Sequence, residues 1–348
     1  MTSNIDFSNW YPFREGEATY LFTIGTYQVP IYTFTMLIGM LSAILTIVFF
    51  WMRKKYSLEI LFTLILITIP SSIIGARLWF IFERLIYNPA DPFPNSAWYE
   101  VWNGGLAIQG GVIVPTILNL VYLYFKRELV DYRYAISFIL PAVLLGQAIG
   151  RWGNYANHEV YGRIDTTGEY TLIWGEALAR QMYIYNAADL ASTAALRIPL
   201  FLYESILSLV GYFVMVWIIN LFGLLKPGTT GGIYMFYYGL VRVIMEPLRE
   251  EGYAFYSVLG YLMLAAGVLM ILYFEIPFRQ RYAKIKRKYY FDYVIIDRKP
   301  YAWLEKLLPS PKIKSVTFET TVENNVESTQ IVGMMNRRRA IKKRRPDK

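Results

Sequence analysis

Cysteine is absent from this 348-residue chain, and histidine occurs once, at His158. The first absence removes disulfides, thiolate metal sites and a cysteine nucleophile together. Any thiol chemistry must use a thiol that arrives with a substrate. A single histidine rules out zinc sites built on two or more imidazoles, and leaves a Ser-His-Asp triad only that one residue. Charge is also scarce. Asp, Glu, Lys and Arg make up 18% of the chain, against about 25% in soluble proteins. What fills the space is apolar: 55% of residues are hydrophobic, 17% are aromatic, and the mean hydropathy is +0.31. This is the composition of a polytopic membrane protein. The first 27 residues hold no short apolar run behind a basic start, so no cleavable signal peptide is expected.

A bilayer core requires about 20 apolar residues per helix. Seven stretches approach that length: Pro30–Met52, Leu58–Phe82, Leu106–Phe125, Tyr134–Gly150, Leu200–Leu224, Gly231–Leu248 and Tyr256–Pro277. The expected fold is an all-α bundle of about seven transmembrane helices. Short-loop cations set its direction. Arg53, Lys54 and Lys55 follow the first stretch; Lys126, Arg127 and Arg133 link the third and fourth; Lys226 links the fifth and sixth; Arg279 to Lys288 follow the seventh. All fall on one side if the N-terminus is outside and the C-terminus cytoplasmic.

Three segments then lie outside: 1–29, 83–105 and 151–199. The first two are rich in Trp, Tyr, Phe and Pro (Trp10, Tyr11, Phe13; Phe93, Trp98, Tyr99, Trp102) and read as interfacial arms. The third is long enough for a small extracytoplasmic cap. The seven-span membrane domain would be 30–277, and 278–348 a basic, partly flexible cytoplasmic tail. That tail holds 19 of the 35 Lys and Arg but 7 of the 26 acidic residues, a net +12, which leaves −3 on residues 1–277. Its first part, FRQRYAKIKRKYYFDY, suits the anionic inner leaflet. Thr317–Gln330 reads as flexible, and the final RRRAIKKRRPDK as a solvated or lipid-attracted run rather than a nucleic-acid site.

Polar groups inside the apolar stretches must face the bundle interior or a wet cavity, because lipid does not tolerate them. They are Arg77 in the second, Glu204 in the fifth, and Arg242 and Glu246 in the sixth. Tyr238, Arg242 and Glu246 recur every four residues and share one helical face. A self-neutralising Arg242–Glu246 pair is one reading; an anion site is the other. Pro247 ends or bends that helix nearby. At the outer end of the fourth stretch, GRWGNYANHEVYG concentrates Arg151, Asn154, Asn157, His158 and Glu159. Arg151 and Arg242 can reach one cavity open to the outer leaflet, where a phospholipid head group is the available anion and guanidinium forks match phosphate. The third stretch opens with NGGLAIQGG, whose glycines bring backbone close to a helix or a ligand and whose one polar side chain besides Asn103 is Gln109.

Taken together, these segments resemble prolipoprotein diacylglyceryl transferases. The family signature G-R-x-G-N-[FY]-x-N-x-E-x-x-G is met at Gly150, Arg151, Gly153, Asn154, Tyr155, Asn157, Glu159 and Gly162. VPIYTFTMLIG around Tyr32, GARLWF around Arg77, NGGLAIQGG, RIPLFLYE at Arg197–Glu204 and YYGLVRVIMEPLRE agree in order, and the resemblance covers about residues 28–277. It implies transfer of the diacylglyceryl group of phosphatidylglycerol to the lipobox cysteine of prolipoprotein signal peptides, with loss of glycerol-1-phosphate, in the bacterial cell membrane and toward the outer leaflet. It implies no cofactor and no metal. Carried over by motif position, the functional residues are Tyr32, Arg151, Asn154, Glu159, Gly162, Tyr238, Arg242 and Glu246, with Gly104 and Gly110 matching glycines of the third stretch. Arg151 and Arg242 would hold the phosphodiester, Asn154 and Tyr238 would orient the head group, Glu159 and Glu246 would hold the arginine forks, and Gln109 and Tyr32 would position the thiol or the glycerol. One departure stands out. Many members have histidine, cast as the thiol's base, where this chain has Gln109, which cannot take a proton at neutral pH. Either a different group takes the proton, with His158, a neighbour in the signature, as one candidate, or no strong base is required. Two other classes remain as alternatives: a transporter or flippase of an anionic lipid or metabolite lined by Arg77, Arg151 and Arg242, and a scaffold presenting the basic tail.

Overall fold

The computed structural model describes residues 7, 9–25, 27–87, 93, 97–101, 104–185, 194–250, 254–276 and 280–298. Trp102, Asn103, the polar run Thr317–Gln330 and the RRRAIKKRRPDK end lie outside the described residues. Eight helices dominate: α1 (Ile31–Arg53), α2 (Leu58–Tyr87), α3 (Ile108–Phe125), α4 (Tyr132–Ala156), the short α5 (Glu176–Gln181), α6 (Leu200–Tyr212), α7 (Thr229–Met245) and α8 (Ala254–Glu275). α6 runs on without a break as a π-helical stretch, Phe213–Asn220.

Six of these are long and apolar enough to cross a bilayer, counting Leu200–Asn220 as one. The seventh expected span, α7, is 17 residues. It begins at Gly228, whose φ of +96° an L side chain rarely adopts. It gives way at Glu246 to a 3-10 turn that contains Pro247. Proline has no N–H for the α-helical ladder, so the helix stops there. α7 packs against α8 and α4.

α4 is the axis of the bundle, touching α1, α6 and α7. Ala135, Phe138, Ala142, Leu144 and Ala148 are buried along it. Glycines set the closest crossings. A Cβ on Gly110 would strike the backbone of Gly75, so α3 and α2 meet backbone to backbone. Gly39 faces Gly146 between α1 and α4, and Gly239 faces Gly260 between α7 and α8. Toward the outside the same helices present apolar side chains, such as Leu45, Leu66 and Leu269. A face of this kind needs lipid or protein against it rather than water.

The chain is not purely helical. Beyond α4, a small cap has its own core of Tyr161, Ala179, Met182, Ile184, Leu196, Phe201 and Leu202. Its sheet has the order β1 (Phe13–Arg14), β4 (Tyr183–Tyr185), β5 (Ala195–Leu196). The N-terminal segment is thus partly built into the cap. The β2–β3 hairpin (Tyr20–Ile24, Tyr27–Pro30) exposes Tyr20, Leu21, Phe22 and Ile24 beside the start of α1. A second hairpin, β6–β7 (Gln280–Lys286, Phe291–Arg298), follows α8. It is tied to the opposite end of the bundle. Lys54 donates to Asp292 Oδ1 at 2.5 Å, and the Tyr282 hydroxyl donates to Asp131 while accepting from Arg133.

Candidate active site

The signature opens on a helix, not in a loop. α4 continues through Ala156, six residues past Gly150, so Arg151 and Asn154 sit on its last turns. Helical spacing places Gln147, Arg151 and Asn154 along one side. Gly153 lies where α1 crosses α4. A Cβ there would sit 2.6 Å from Thr35 Oγ1 and 2.9 Å from Tyr32 Cδ2, so glycine is what admits Tyr32 against this helix. Asn157 caps α4, and the backbone then turns through two residues with positive φ, His158 at +49° and Val160 at +58°. For a β-branched residue that conformation is strained. Between them stands Glu159, whose carboxylate accepts from Asn154 Nδ2 at 2.9 Å.

Three arginines and two carboxylates are joined in one chain of pairs. Arg151 Nη2 lies 2.5 Å from Glu204 Oε2; Arg249 Nη2 lies 2.7 Å from Glu204 Oε1; Arg249 Nε lies 3.4 Å from Glu246 Oε2; and Arg242 Nη2 lies 3.0 Å from Glu246 Oε2. The Arg249–Glu204 Oε1 contact is also a well-aligned hydrogen bond, whereas Glu204 Oε2 and Glu246 Oε2 meet their arginines as ion pairs without that alignment. Both glutamates are 3% exposed. These pairs carry a net +1. A cavity with about 320 Å³ of empty space opens beside them, lined by Gln147, Arg151, Glu204, Tyr238 and Arg242 among others. Buried charge without a counter-ion is costly. One monoanion in the cavity would balance this network.

The expected residues divide into three groups. Arg151, Tyr238 and Arg242 line the cavity together, and Glu246 fixes Arg242 from behind. Tyr32 on α1, Asn154 on α4 and Glu159 in the turn beyond α4 form a second cluster. Gln109, Gly104, Gly110 and Gly162 are not on the cavity wall. Gly110 serves the α2–α3 crossing. The Gly104 carbonyl accepts from Arg77 Nη1 at 2.7 Å. Gly162 bridges to Arg249 as an isolated antiparallel pair, and a Cβ on it would meet Ile198 Cβ at 2.7 Å. Its bareness lets the end of the signature hold the backbone of the arginine that joins the two glutamates.

Three sequence readings change. The carboxylate at Arg151 is Glu204; Glu159 bonds Asn154 instead. His158 points away into the cap, 3% exposed, stacked on Phe13 at 4.3 Å, with Nδ1 on the Glu17 carbonyl and Nε2 on the Gln181 side chain. It is a cap residue and is not placed to act on a thiol at Arg151. Arg77 lines no path. Its guanidinium donates to the carbonyls of Ala97, Trp98, Gly104 and Gly105 at 2.7–3.1 Å and staples the segment that leads into α3.

Gln147, Ser208, Tyr237 and Arg249 join the site without having been singled out for it. Gln147 Oε1 is buried with no hydrogen-bond partner among the described residues. The one available signal was its place one turn before Arg151.

Comparison with known proteins identifies the family. The family model described as prolipoprotein diacylglyceryl transferase matches residues 19–273. A phosphatidylglycerol–prolipoprotein diacylglyceryl transferase from Mycoplasmopsis pulmonis is 57% identical over 298 residues, covering 84% of this chain and 92% of its own. Proteins of the same name from Streptococcus agalactiae (31% over 255 residues; 72% of this chain, 93% of theirs) and Streptococcus equi subsp. zooepidemicus (34% over 232 residues; 66% and 83%) are also similar. The matched region runs from the β2 strand almost to the end of α8 and so takes in the whole arginine–glutamate network: this chain belongs to the prolipoprotein diacylglyceryl transferase family.

Proposed function

We propose that this membrane enzyme transfers the diacylglyceryl group of phosphatidylglycerol to the cysteine thiol of a prolipoprotein lipobox, releasing glycerol-1-phosphate. The observation that carries the reading is the buried +1 of the network facing the cavity between α4, α6 and α7. A phosphodiester is a monoanion whose two free oxygens suit guanidinium forks. The names of the relatives supply the two substrates.

Arg151 and Arg242 hold the phosphodiester from its two sides. Glu204, Arg249 and Glu246 keep both guanidiniums oriented before substrate arrives, so little reorganisation is needed as charge develops on the leaving phosphate. The substrate sulfur attacks the glyceryl C3 carbon. A C–S bond forms, the C–O bond to phosphate breaks, and the electron pair leaves on glycerol-1-phosphate. A thiol of pKa ~8.5 is a few per cent ionised at neutral pH, and nearby arginines raise that fraction. At neutral pH that proton passes to solvent, because the new phosphate monoester, with a second pKa of ~6, leaves mostly as the dianion. A strong base at the Gln109 position is therefore not required. Tyr238 orients the head group beside Arg242. Asn154, held by Glu159, and Tyr32 position the glycerol or the thiol.

The lipid enters from the outer leaflet. The loop cations at the Arg53 end support a cytoplasmic assignment for that end, and the cap lies at the other. Anionic lipids of the inner leaflet would meet the basic tail. Purified protein, phosphatidylglycerol and a lipobox peptide, followed by peptide mass, test the reading. A diacylglyceryl adduct is expected. Its absence under conditions where a relative forms it overturns the assignment.

A further inference from the structure

A second cavity, partly open to its surroundings, lies at the end far from Arg151. α1 connects the two: 21 residues, or ~32 Å at 1.5 Å each, separate Tyr32 beside the signature from Arg53 on the second cavity's wall. The wall joins the ends of α1 and the π-helical stretch, the start of α4 and the β6–β7 hairpin.

Its charge is one-sided. Arg53, Lys54 and Lys226 all line it, and no carboxylate does. Each lysine has a carboxylate beside it: Asp292 lies 2.5 Å from Lys54 Nζ, and Glu275 lies 3.4 Å from Lys226 Nζ. Arg53 has no ion pair among the described residues. Its guanidinium stacks on the Tyr290 ring at 4.4 Å, and its Nη1 is buried without a hydrogen-bond partner among the described residues. Stacking occupies the face of a guanidinium and leaves its in-plane N–H groups to donate. The deeper wall is apolar, with Phe50, Phe138 and Ile219. A site with one unmatched guanidinium, two flanking ammonium groups and an apolar floor fits a phosphate ester that carries an apolar or uncharged substituent.

We propose that this cavity is a phosphate-binding site, separate from the transfer site, in which Arg53 donates in-plane hydrogen bonds to phosphate oxygens and Lys54 and Lys226, each already paired with a carboxylate, flank it. The phosphate belongs either to the head group of an anionic lipid in the adjacent leaflet or to a soluble phosphate ester. The β6–β7 hairpin forms one wall, so an occupied site clamps that hairpin to the bundle.

The test uses the full chain in neutral detergent, with short-chain phosphatidic acid titrated and bound lipids counted by native mass spectrometry. Wild type is expected to retain one more phosphatidic acid than Arg53→Gln, with affinity at that site at least tenfold weaker in the variant and lipobox transfer activity within twofold. Equal stoichiometry and affinity in the two proteins overturns the proposal. If Arg53→Gln fails to fold, a photoactivatable phosphatidic acid is applied to the unaltered protein. Labelling near Arg53, Leu225 or Tyr290 is expected, and labelling confined to other peptides overturns it. Competition assigns the source. Displacement by millimolar inorganic phosphate or glycerol phosphate marks a soluble ester, and displacement by anionic lipid alone marks a head group.

Discussion

Replacing Glu204 by glutamine separates an arginine network that orients substrate from one that merely attracts it. Glu204 is the residue on which two arginines converge, Arg151 at 2.5 Å and Arg249 at 2.7 Å. Glutamine keeps the size and one acceptor oxygen but removes the charge. The network then goes from +1 to +2, and Arg151 loses the carboxylate that fixes it. Removing one member of a buried pair costs ~3–5 kcal/mol, because the other charge is left unmatched. Substrate phosphate recovers part of this by entering a more positive cavity. Anion binding should therefore hold or tighten, while the orientation of Arg151 in the transition state is lost. If ~3–4 kcal/mol falls on the transition state, kcat drops by about 10²–10³. The assay is peptide lipidation against phosphatidylglycerol concentration, with the unfolding temperature of each protein as control. The expected result is a large fall in kcat with KM for phosphatidylglycerol unchanged or lower. A kcat within threefold of wild type refutes the orienting role. A rise in KM with kcat intact refutes it differently, by showing that Glu204 serves binding alone.

Further perturbations follow from particular contacts. Gly153→Ala places a methyl group against Thr35 and Tyr32; it should destabilise by ~1–3 kcal/mol through overpacking and lower turnover at least tenfold, whereas a fully active variant would show that Tyr32 need not sit there. His158→Ala should cost ~1–3 kcal/mol of stability, seen as a lower unfolding temperature, by unpairing the Glu17 carbonyl in the cap, yet leave kcat per folded molecule within about threefold; complete loss of turnover in a stable variant would reinstate it as a catalytic group. Asp292 carries a pH dependence. Burial pushes its carboxyl up, but the hydrogen bond and charge of Lys54, the Tyr293 amide and Arg287 outweigh this and hold it below the usual range. A depressed carboxyl stabilises the docked hairpin above its unfolded pKa of ~3.9 and loses that contribution as pH falls through the folded value. Amide exchange in Gln280–Lys286 should thus be flat from pH 7 to pH 5, after correction for intrinsic rates, and accelerate below pH 4. Onset above pH 5 would assign the switch to another group.

The spans were legible because lipid demands long apolar runs, and six of them lie close to where hydropathy puts them. Helix ends were less legible for a physical reason. Hydropathy stops at the first charge, but α4 stays helical through Arg151 and Asn154 because those side chains find partners in Glu204 and Glu159. α7 is the converse, cut short by Gly228 and Pro247. Arg151, Tyr238 and Arg242 could be named from motif and spacing. Their pairing could not, because Arg151, Glu204 and Arg249 lie about 50 residues apart on separate elements, and nothing local says which arginine meets which glutamate. Gln147 was hidden as a lone amide in an apolar helix. The β6–β7 hairpin was masked by its own charge, although Phe291–Arg298 has the β-branched and aromatic content of a strand.

The central claim is that one phosphate bridges Arg151 and Arg242. A structure of the unaltered protein with bound phosphatidylglycerol and no lipobox peptide, so that no thiol is present to react, tests it most directly. The account predicts the phosphorus between the two guanidiniums, with the glyceryl C3 carbon facing Asn154 and Tyr32. Head-group density elsewhere, or an acyl chain filling the Arg151–Arg242 cavity, would contradict it.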